Sequence, residues 1–310
     1  MGTPGTPDTD HADRTGHAGH AGRAEQEDRA DGPDGPGLEA LVRLLADRGA
    51  VVLSGAGLST ESGIPDYRGA TGRRRTATPM TYQEFTAGEA ARRRYWARSH
   101  TGWPAIARAR PNAGHHAVEH LRRTGRVTAV ITQNVDGLHR AAGTGAAVEL
   151  HGRLDRVVCL DCRHTTARAE LDQRLEELNA GFRTAGAVLR PDGDAHLPQE
   201  AVDAFRVAPC RVCGGVLKPD VVFFGESVPA PRVEQCYELV GAASSLIVLG
   251  SSLSVLSGLR FVRHAARERI PVAIVNQGAT RADELAAVRL DRPLGPTLTA
   301  AARLLDATAP

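Results

Sequence analysis

The chain is 310 residues long and has one lysine, Lys218, against 37 arginines, with two methionines and two tryptophans. No apolar run approaches the roughly 20 residues a membrane-spanning helix needs, so no spanning segment is expected. The apolar core of a secretory signal is missing, and the acids near the start argue against a transit peptide. The expectation is a cytoplasmic protein. Residues 1–37 carry eight acids and three arginines, a charge of −5, which leaves +7 on the rest of a chain of net charge +2. This stretch is rich in Gly, Asp, His, Ala and Pro and has no hydrophobic period, so a disordered tail is expected. His11, His17 and His20 read as part of that tail rather than as metal ligands. Met1-Gly2-Thr3-Pro4-Gly5-Thr6 fits a myristoylation pattern only formally, because Pro4 is awkward there.

With 42% hydrophobic residues, the remaining chain is long enough to bury a substantial core. Leu38, Leu41, Leu44 and Leu45 recur at helical spacing. Helical patterns also cover 82–109, 115–123, 171–178, 232–243, 257–268 and 297–306. Between them lie continuous apolar runs at 51–53, 127–132, 245–249 and 272–275. Strands without polar alternation, separated by helices, predict a parallel sheet covered on both faces, in which ligands bind beyond the strands' carboxyl ends. The polar motifs fall at those ends: Gly55 to Arg68, then Gln133-Asn134-Val135-Asp136, Gly250-Ser251-Ser252 and Asn276-Gln277-Gly278.

The first of these is the most informative. A short β-branched strand runs into Gly55-Ala56-Gly57, whose backbone can come close to a diphosphate. The match to the dinucleotide fingerprint is imperfect: Thr60 stands where the third glycine would be, and the next glycine is Gly63. The acid that a nicotinamide dehydrogenase places some 20 residues after this turn is missing as well, which disfavours that class. Asp66 and Arg68 close the string with an acid and a base.

Cys159-x-x-Cys162 and Cys210-x-x-Cys213 form two knuckles 47 residues apart. Four thiolates suit a structural tetrahedral zinc with no open position, although the gap exceeds the usual ribbon spacing of roughly 15–20 residues. Two disulfides or a redox dithiol are the rival reading, disfavoured in a cytoplasmic setting. The knuckles lack interleaved aromatics and a basic cluster, so a nucleic-acid module is not expected. The segment between them is either functional or a surface elaboration. Cys236, in a helical pattern, reads as a small core residue.

The string G-A-G-L-S-T-E-S-G-I-P-D-Y-R-G from Gly55 to Gly69 resembles the first signature of the sirtuins, NAD-dependent protein deacylases, with Leu58 for the usual Ile and Tyr67 for the usual Phe. Thr132-Gln133-Asn134-Val135-Asp136-Gly137-Leu138-His139, His151-Gly152, the two knuckles, Leu217 to Glu226, Gly250-Ser251-Ser252-Leu253 and Val275-Asn276 extend the resemblance over about 38–300. Asp66-Tyr67-Arg68, the long gap between knuckles and Arg94-Tyr95-Trp96-Ala97-Arg98 look most like the mitochondrial-type class II subgroup, which has bacterial members.

The resemblance implies a Rossmann-like doubly wound α/β fold at 38–152 and 217–310, with a zinc-binding insertion at about 153–216. It implies NAD as co-substrate, held by Gly55, Ala56, Gly57, Thr60, Ile64, Asp66, Tyr67, Arg68, Gln133, Asn134, Asp136, Gly250, Ser251, Ser252, Asn276, Gln277, Gly278 and Leu294. An acyl-lysine protein substrate would enter as an extended strand beside Val221, Phe223, Phe224 and Gly225. Its amide oxygen would displace nicotinamide from the ribose. His151 would then act as general base on a ribose hydroxyl, with Asn134 and Asp136 orienting the nicotinamide ribose. The products would be free lysine, nicotinamide and O-acyl-ADP-ribose. The Gly69 to Arg75 loop would exclude water. His139 and Lys218 would be structural. A protein ADP-ribosyltransferase using the same site is the alternative.

Tyr95 and Arg98 resemble the acyl-pocket pair of sirtuins that remove acidic acyl groups, and an arginine suits a carboxylate. A solvated basic helix face is the other reading. The acidic-acyl reading predicts that Arg98→Leu abolishes desuccinylation and spares deacetylation in peptide assays; equal loss of both activities refutes it.

Overall fold

The computed structural model describes residues 35–66, 79–182 and 197–308. Tyr67, Arg68, the Gly69 to Arg75 loop, the myristoylation-like pattern and the tail histidines lie outside the described residues, as does the whole segment from Arg183 to Asp194.

Pro36 opens helix α1 (Pro36–Ala46), which buries Leu38, Leu41 and Leu45. Strand β1 (Ala50–Ser54) is buried along its whole length and runs into a 3-10 helix, Ala56–Ser62. The helical pattern at 82–109 resolves into α2 (Tyr82–Ala87) and α3 (Glu89–Arg108), broken at Gly88, whose extended backbone is the N-cap of α3. A capping box of Thr81 and Glu84 starts α2, and Asn112 caps α4 (Ala113–Arg123) through the Gly114 and His115 N–H groups. There follow β2 (Val127–Thr132), α5 (Leu138–Ala141), β3 (Val148–Glu149), β4 (Gly152–Cys159), β5 (Thr165–Ala167), α6 (Arg168–Leu178) and α7 (Gln199–Ala204). The chain continues through β6 (Leu217–Val221), α8 (Ala230–Gly241), β7 (Leu246–Leu249), α9 (Leu256–Arg267), β8 (Val272–Val275), β9 (Val288–Leu290) and α10 (Leu294–Ala307).

Six strands form a parallel sheet in the order β3-β2-β1-β7-β8-β9. This is the Rossmann-like doubly wound arrangement, and the order reverses between β1 and β7. Successive strand residues face opposite sides. Ala50 and Val52 pack with Leu41 of α1, Leu121 of α4 and Leu298 of α10, whereas Val51 and Leu53 pack with Val240 of α8 and Phe261 of α9. The four apolar runs read from the sequence are the central strands; β3 and β9 are short edge strands of two and three residues, below what a run of apolar residues reveals.

A second sheet, β5-β4-β6, is antiparallel. Strand β6, which the sequence reading placed with the nucleotide-binding part, therefore pairs with β4. Against this sheet lies a third core of Phe85, Tyr95, Trp96, Leu171, Leu175 and Phe205. Trp96 Nε1–H donates to the Leu217 carbonyl at 3.1 Å, and the buried Arg168 guanidinium stacks 5.4 Å over Trp96 and 5.0 Å over Trp103. Among the described residues no helix is long and apolar enough to cross a membrane. Cys236 is wholly buried, and burial pushes its thiol up to about 11.

His115 and His139 meet edge to face beneath the sheet, centroids 5.1 Å apart. Burial lowers their pKa values from 6.5 to about 3 and about 4. Both are neutral when folded and take protons more readily when unfolded. Their contribution to stability is whole above pH 6.5 and lost as pH falls from there toward 4. Urea unfolding between pH 7.5 and 5 should show stability declining by up to about 1.4 kcal/mol per pH unit for each histidine. A flat profile, or one as steep in a His115→Gln/His139→Gln variant, refutes this origin.

Candidate functional site

The site begins where β1 and β7 end side by side. Gly55 N–H donates to the Leu249 carbonyl at 2.9 Å, and Gly57 N–H to the Gly250 carbonyl at 2.8 Å. The two turns touch backbone to backbone: a Cβ on Gly55 would lie 2.7 Å from Ser251 Cβ, and one on Gly57 2.9 Å from Gly250 Cα. Gly250 has φ +62, and a Cβ there would lie 2.5 Å from the Leu58 nitrogen. Only glycines allow the strand ends to close this far.

From this junction a cavity of about 1050 Å³ opens beyond the strand ends. It is lined by Gly55, Ala56, Gly57, Ile64 and Asp66 after β1; by Gln133, Asn134 and Asp136 after β2; by Gly250, Ser251 and Ser252 after β7; and by Asn276 and Gln277 after β8. His151, Val221, Phe223, Phe224, Gly225 and Tyr95 complete the set. Four predicted residues do not line it. Thr60 is exposed and turns its hydroxyl back to the Gly57 carbonyl at 2.9 Å. Leu294 is buried behind the Gly250 turn in the core. Gly278 closes a turn by donating to Asp291 Oδ1 at 3.1 Å. Arg98 is half-buried on α3 while Tyr95 reaches the cavity. Three residues turn a helix by about 300°, so the two side chains diverge by about 60°.

Ser59 went unremarked in the sequence and is a hub here. It donates to Asp136 Oδ2 at 2.7 Å and accepts from Asn134 Nδ2 at 3.1 Å, and Asn134 also donates to the Gly55 carbonyl at 3.0 Å. Burial raises the Asp136 pKa, opposed by hydrogen bonds from the Leu138 N–H and Ser59. Gln133 Nε2 reaches Ser251 Oγ at 2.9 Å, tying the β2 end to the β7 end. Asn276 Nδ2 donates to the carbonyls of Gln277 and Gly278 at 2.9 and 2.8 Å, which shapes the β8 end.

His151 follows β3, whose Val148 and Glu149 pair with Ile131 and Thr132 of β2. Arg140 anchors the segment through Glu149 at 2.9 Å and Asp155 at 2.6 Å. Gly152 next to it has φ +79, and a Cβ there would lie 2.1 Å from the Asp220 carbonyl oxygen. The His-Gly pair thus has a steric cause. Val222 N–H donates to the His151 carbonyl at 2.8 Å, joining the segment after β6 to this histidine.

His151 Nδ1 lies 2.9 Å from the Gln133 carbonyl. A carbonyl only accepts, so the ring proton sits on Nδ1 and the lone pair on Nε2. Nε2 lies 2.8 Å from Ser257 Oγ, a contact the sequence did not reveal because α9 read there as an ordinary helix. Burial lowers the His151 pKa to about 4; the Gln133 bond opposes this and the Arg232 charge adds to it.

His139 accepts from or donates to Ser54 Oγ at 2.8 Å inside the core and does not line the cavity. Lys218 is buried, donates to the Val221 carbonyl and pairs with Glu226 at 3.0 Å, while Glu226 accepts from Phe223 N–H at 2.9 Å. It braces the loop after β6 from behind and does not face the cavity.

Cys159, Cys162, Cys210 and Cys213 place their sulfurs within 4.8 Å of one another, none in a disulfide. Cys159 and Cys213 are 3.5 Å apart, Cys162 and Cys210 3.8 Å. A tetrahedron with zinc–sulfur distances of about 2.3 Å has edges of about 3.8 Å, so the donor set fits such an ion. Backbone N–H groups of Cys213 and Val212 push the Cys210 thiol down to about 7, while the Cys213 thiol, despite a backbone hydrogen bond from Gly215, is pushed up to about 12 by Cys162 and Cys159, so the sulfurs hold their protons jointly.

Residues 55–257 match the Sir2 family. The chain is 65% identical over 254 residues to NAD-dependent protein deacetylase 1 of Streptomyces coelicolor, covering 82% of this chain and 85% of that protein. It is 46% identical over 258 residues to NAD-dependent protein deacylase Sirt4 of Drosophila melanogaster, covering 82% and 83%. Among solved structures, one described as Sir2 with a p53 peptide and NAD+ superposes with a TM-score of 0.68 at 28% identity, covering 87% of this chain and 98% of that one. With its cavity at the strand-order reversal, its four-cysteine cluster and these likenesses, the chain is a member of the Sir2 family.

Proposed function

We propose that the protein is an NAD-dependent protein lysine deacylase and that His151 is its general base. The observation that carries this is the Nε2 lone pair of His151, fixed by the Nδ1–H bond to Gln133 and facing the same cavity as the glycine junction. The relatives' names and the peptide- and NAD-bound neighbours support the same reading.

NAD as co-substrate supplies an electrophilic ribose carbon and a ribose hydroxyl. The Gly55–Gly57 turn and Ser251-Ser252, which line the cavity together, would cradle its diphosphate. Asn276 would hold the adenosine ribose, and Asp66, which lines the cavity, would help close the segment over the co-substrate. Asn134 and Asp136, locked by Ser59, orient the nicotinamide ribose. Burial keeps the His151 imidazole neutral at pH 7, ready to accept a hydroxyl proton.

The substrate peptide lies as a strand beside 221–225. Exposed apolar side chains at the cavity edge, Phe224, Val255 and Leu256, mark its path. Tyr95 forms part of the acyl tunnel, its ring packed edge-on to Phe85 at 5.5 Å and tilted on Phe223 at 5.2 Å. We assign 38–152 and 217–310 to the nucleotide-binding part, with β6 of that stretch crossing into the small sheet, and about 153–216 to the insertion, with a structural zinc on Cys159, Cys162, Cys210 and Cys213 and a cytoplasmic location.

Mass spectrometry of acyl-lysine peptides incubated with the protein, with and without NAD, should show NAD-dependent deacylation and matching O-acyl-ADP-ribose, lost in His151→Tyr. ADP-ribose on added protein without deacylation would instead establish a transferase. A tight chelator, or Cys210→Ser, should release about one zinc per chain by elemental analysis and lower the melting temperature by several degrees; protein that contains no zinc before treatment refutes the metal assignment.

A further inference from the structure

His151 holds its ring through Gln133 and faces Ser257 with the nitrogen that does the work. Ser257 lies in the first turn of α9, half-buried and lining the cavity. Its neighbour sets its distance from the histidine: Gly258 packs on Gln133, where a Cβ would lie 2.7 Å from Oε1. Gln133 thus meets α9 through Gly258 and His151 through its carbonyl. The 2.8 Å contact between Ser257 and Nε2 is therefore built by two elements that touch at the same point.

The chemistry of the contact follows from the tautomer. Nε2 carries a lone pair, so the Ser257 hydroxyl donates to it. A hydroxyl is also an acceptor and its proton rotates freely. The buried ring strongly disfavours its charged form, and Arg232, which donates to the Leu150 carbonyl at 3.1 Å, adds to that burden. A base in this setting needs a partner that serves both of its protonation states.

We propose, on the deacylase reading above, that Ser257 is a positioning residue for His151, donating to Nε2 before reaction and turning to accept from Nε2–H afterwards. A co-substrate hydroxyl entering the cavity takes over the Nε2 lone pair, and the serine O–H rotates away. The proton moves from that hydroxyl to Nε2, and the O–H electron pair stays on the attacking oxygen. Ser257 keeps its own proton throughout and offers a lone pair to the imidazolium. It touches the base rather than the substrate.

The experiment uses the full chain as wild type, Ser257→Ala and Ser257→Thr. Three readouts separate the roles: exchange of labelled nicotinamide into NAD, which needs both substrates but no base; NAD-dependent deacylation; and the 15N resonances of His151 in the free protein. In Ser257→Ala, deacylation kcat should fall roughly 10- to 100-fold, the effect of losing one hydrogen bond to a charged group. Exchange and the KM for NAD should be retained. Ser257→Thr, which keeps the hydroxyl, should restore most of the loss, and the Nε2 resonance should move in Ser257→Ala. Equal loss of exchange and deacylation would show a merely structural serine and overturn the proposal, as would unchanged deacylation or an unmoved Nε2 resonance. If the wild type neither exchanges nor deacylates, the deacylase reading fails, and the resonance still reports whether the serine holds Nε2.

Discussion

The close approach of two strand ends governs this molecule. Strands β1 and β7 lie next to each other where the order of the sheet reverses, and the turns that follow them are in backbone contact through Gly55, Gly57 and Gly250. Each of these positions would force a Cβ into neighbouring atoms at 2.9 Å or less. Because the turns close on one another, the chain after β1 tightens into a 3-10 helix, and Ser59 on it is brought to Asn134 and Asp136 from the end of β2. The crevice and the polar network that lines it share this origin.

The small sheet adds what the nucleotide-binding sheet lacks. Strand β4 starts at Gly152, next to His151, and pairs with β6, so the antiparallel sheet is attached at the histidine itself. Lys218 and Glu226 brace the loop beyond β6 from the buried side, and the Val222 N–H bond to the His151 carbonyl fixes its height over the cavity. The four cysteines close the far end of the same sheet, with Cys159 at the end of β4. A structural ion there would act on the site only by holding this sheet in place.

Much of the site was legible because its constraints are local. A glycine that must admit a neighbouring backbone, a histidine followed by a glycine at φ +79, and cysteines in paired knuckles each leave a mark in a few consecutive residues. The four central strands were legible for the same reason: they are buried on both faces and read as unbroken apolar runs. The short strands β3, β5 and β9 were not, because two or three residues at an edge carry no run of their own. Tyr95 and Arg98 show the limit of helical spacing, which places side chains on one side of a helix without deciding which of them meets a cavity.

By itself the sequence determined the class of fold, the order of motifs at the strand ends, the four cysteines that cluster and the histidine that lines the cavity. These rest on period, on the missing side chain of glycine and on the chemistry of residue types, all of which act over short stretches of chain. Tertiary structure alone decided the partners. Ser59 lies 75 residues before Asn134, and Ser257 lies 106 residues after His151. A serine carries no periodic or steric signature, so its role is settled only when folding brings its hydroxyl within hydrogen-bonding distance of a group that needs it.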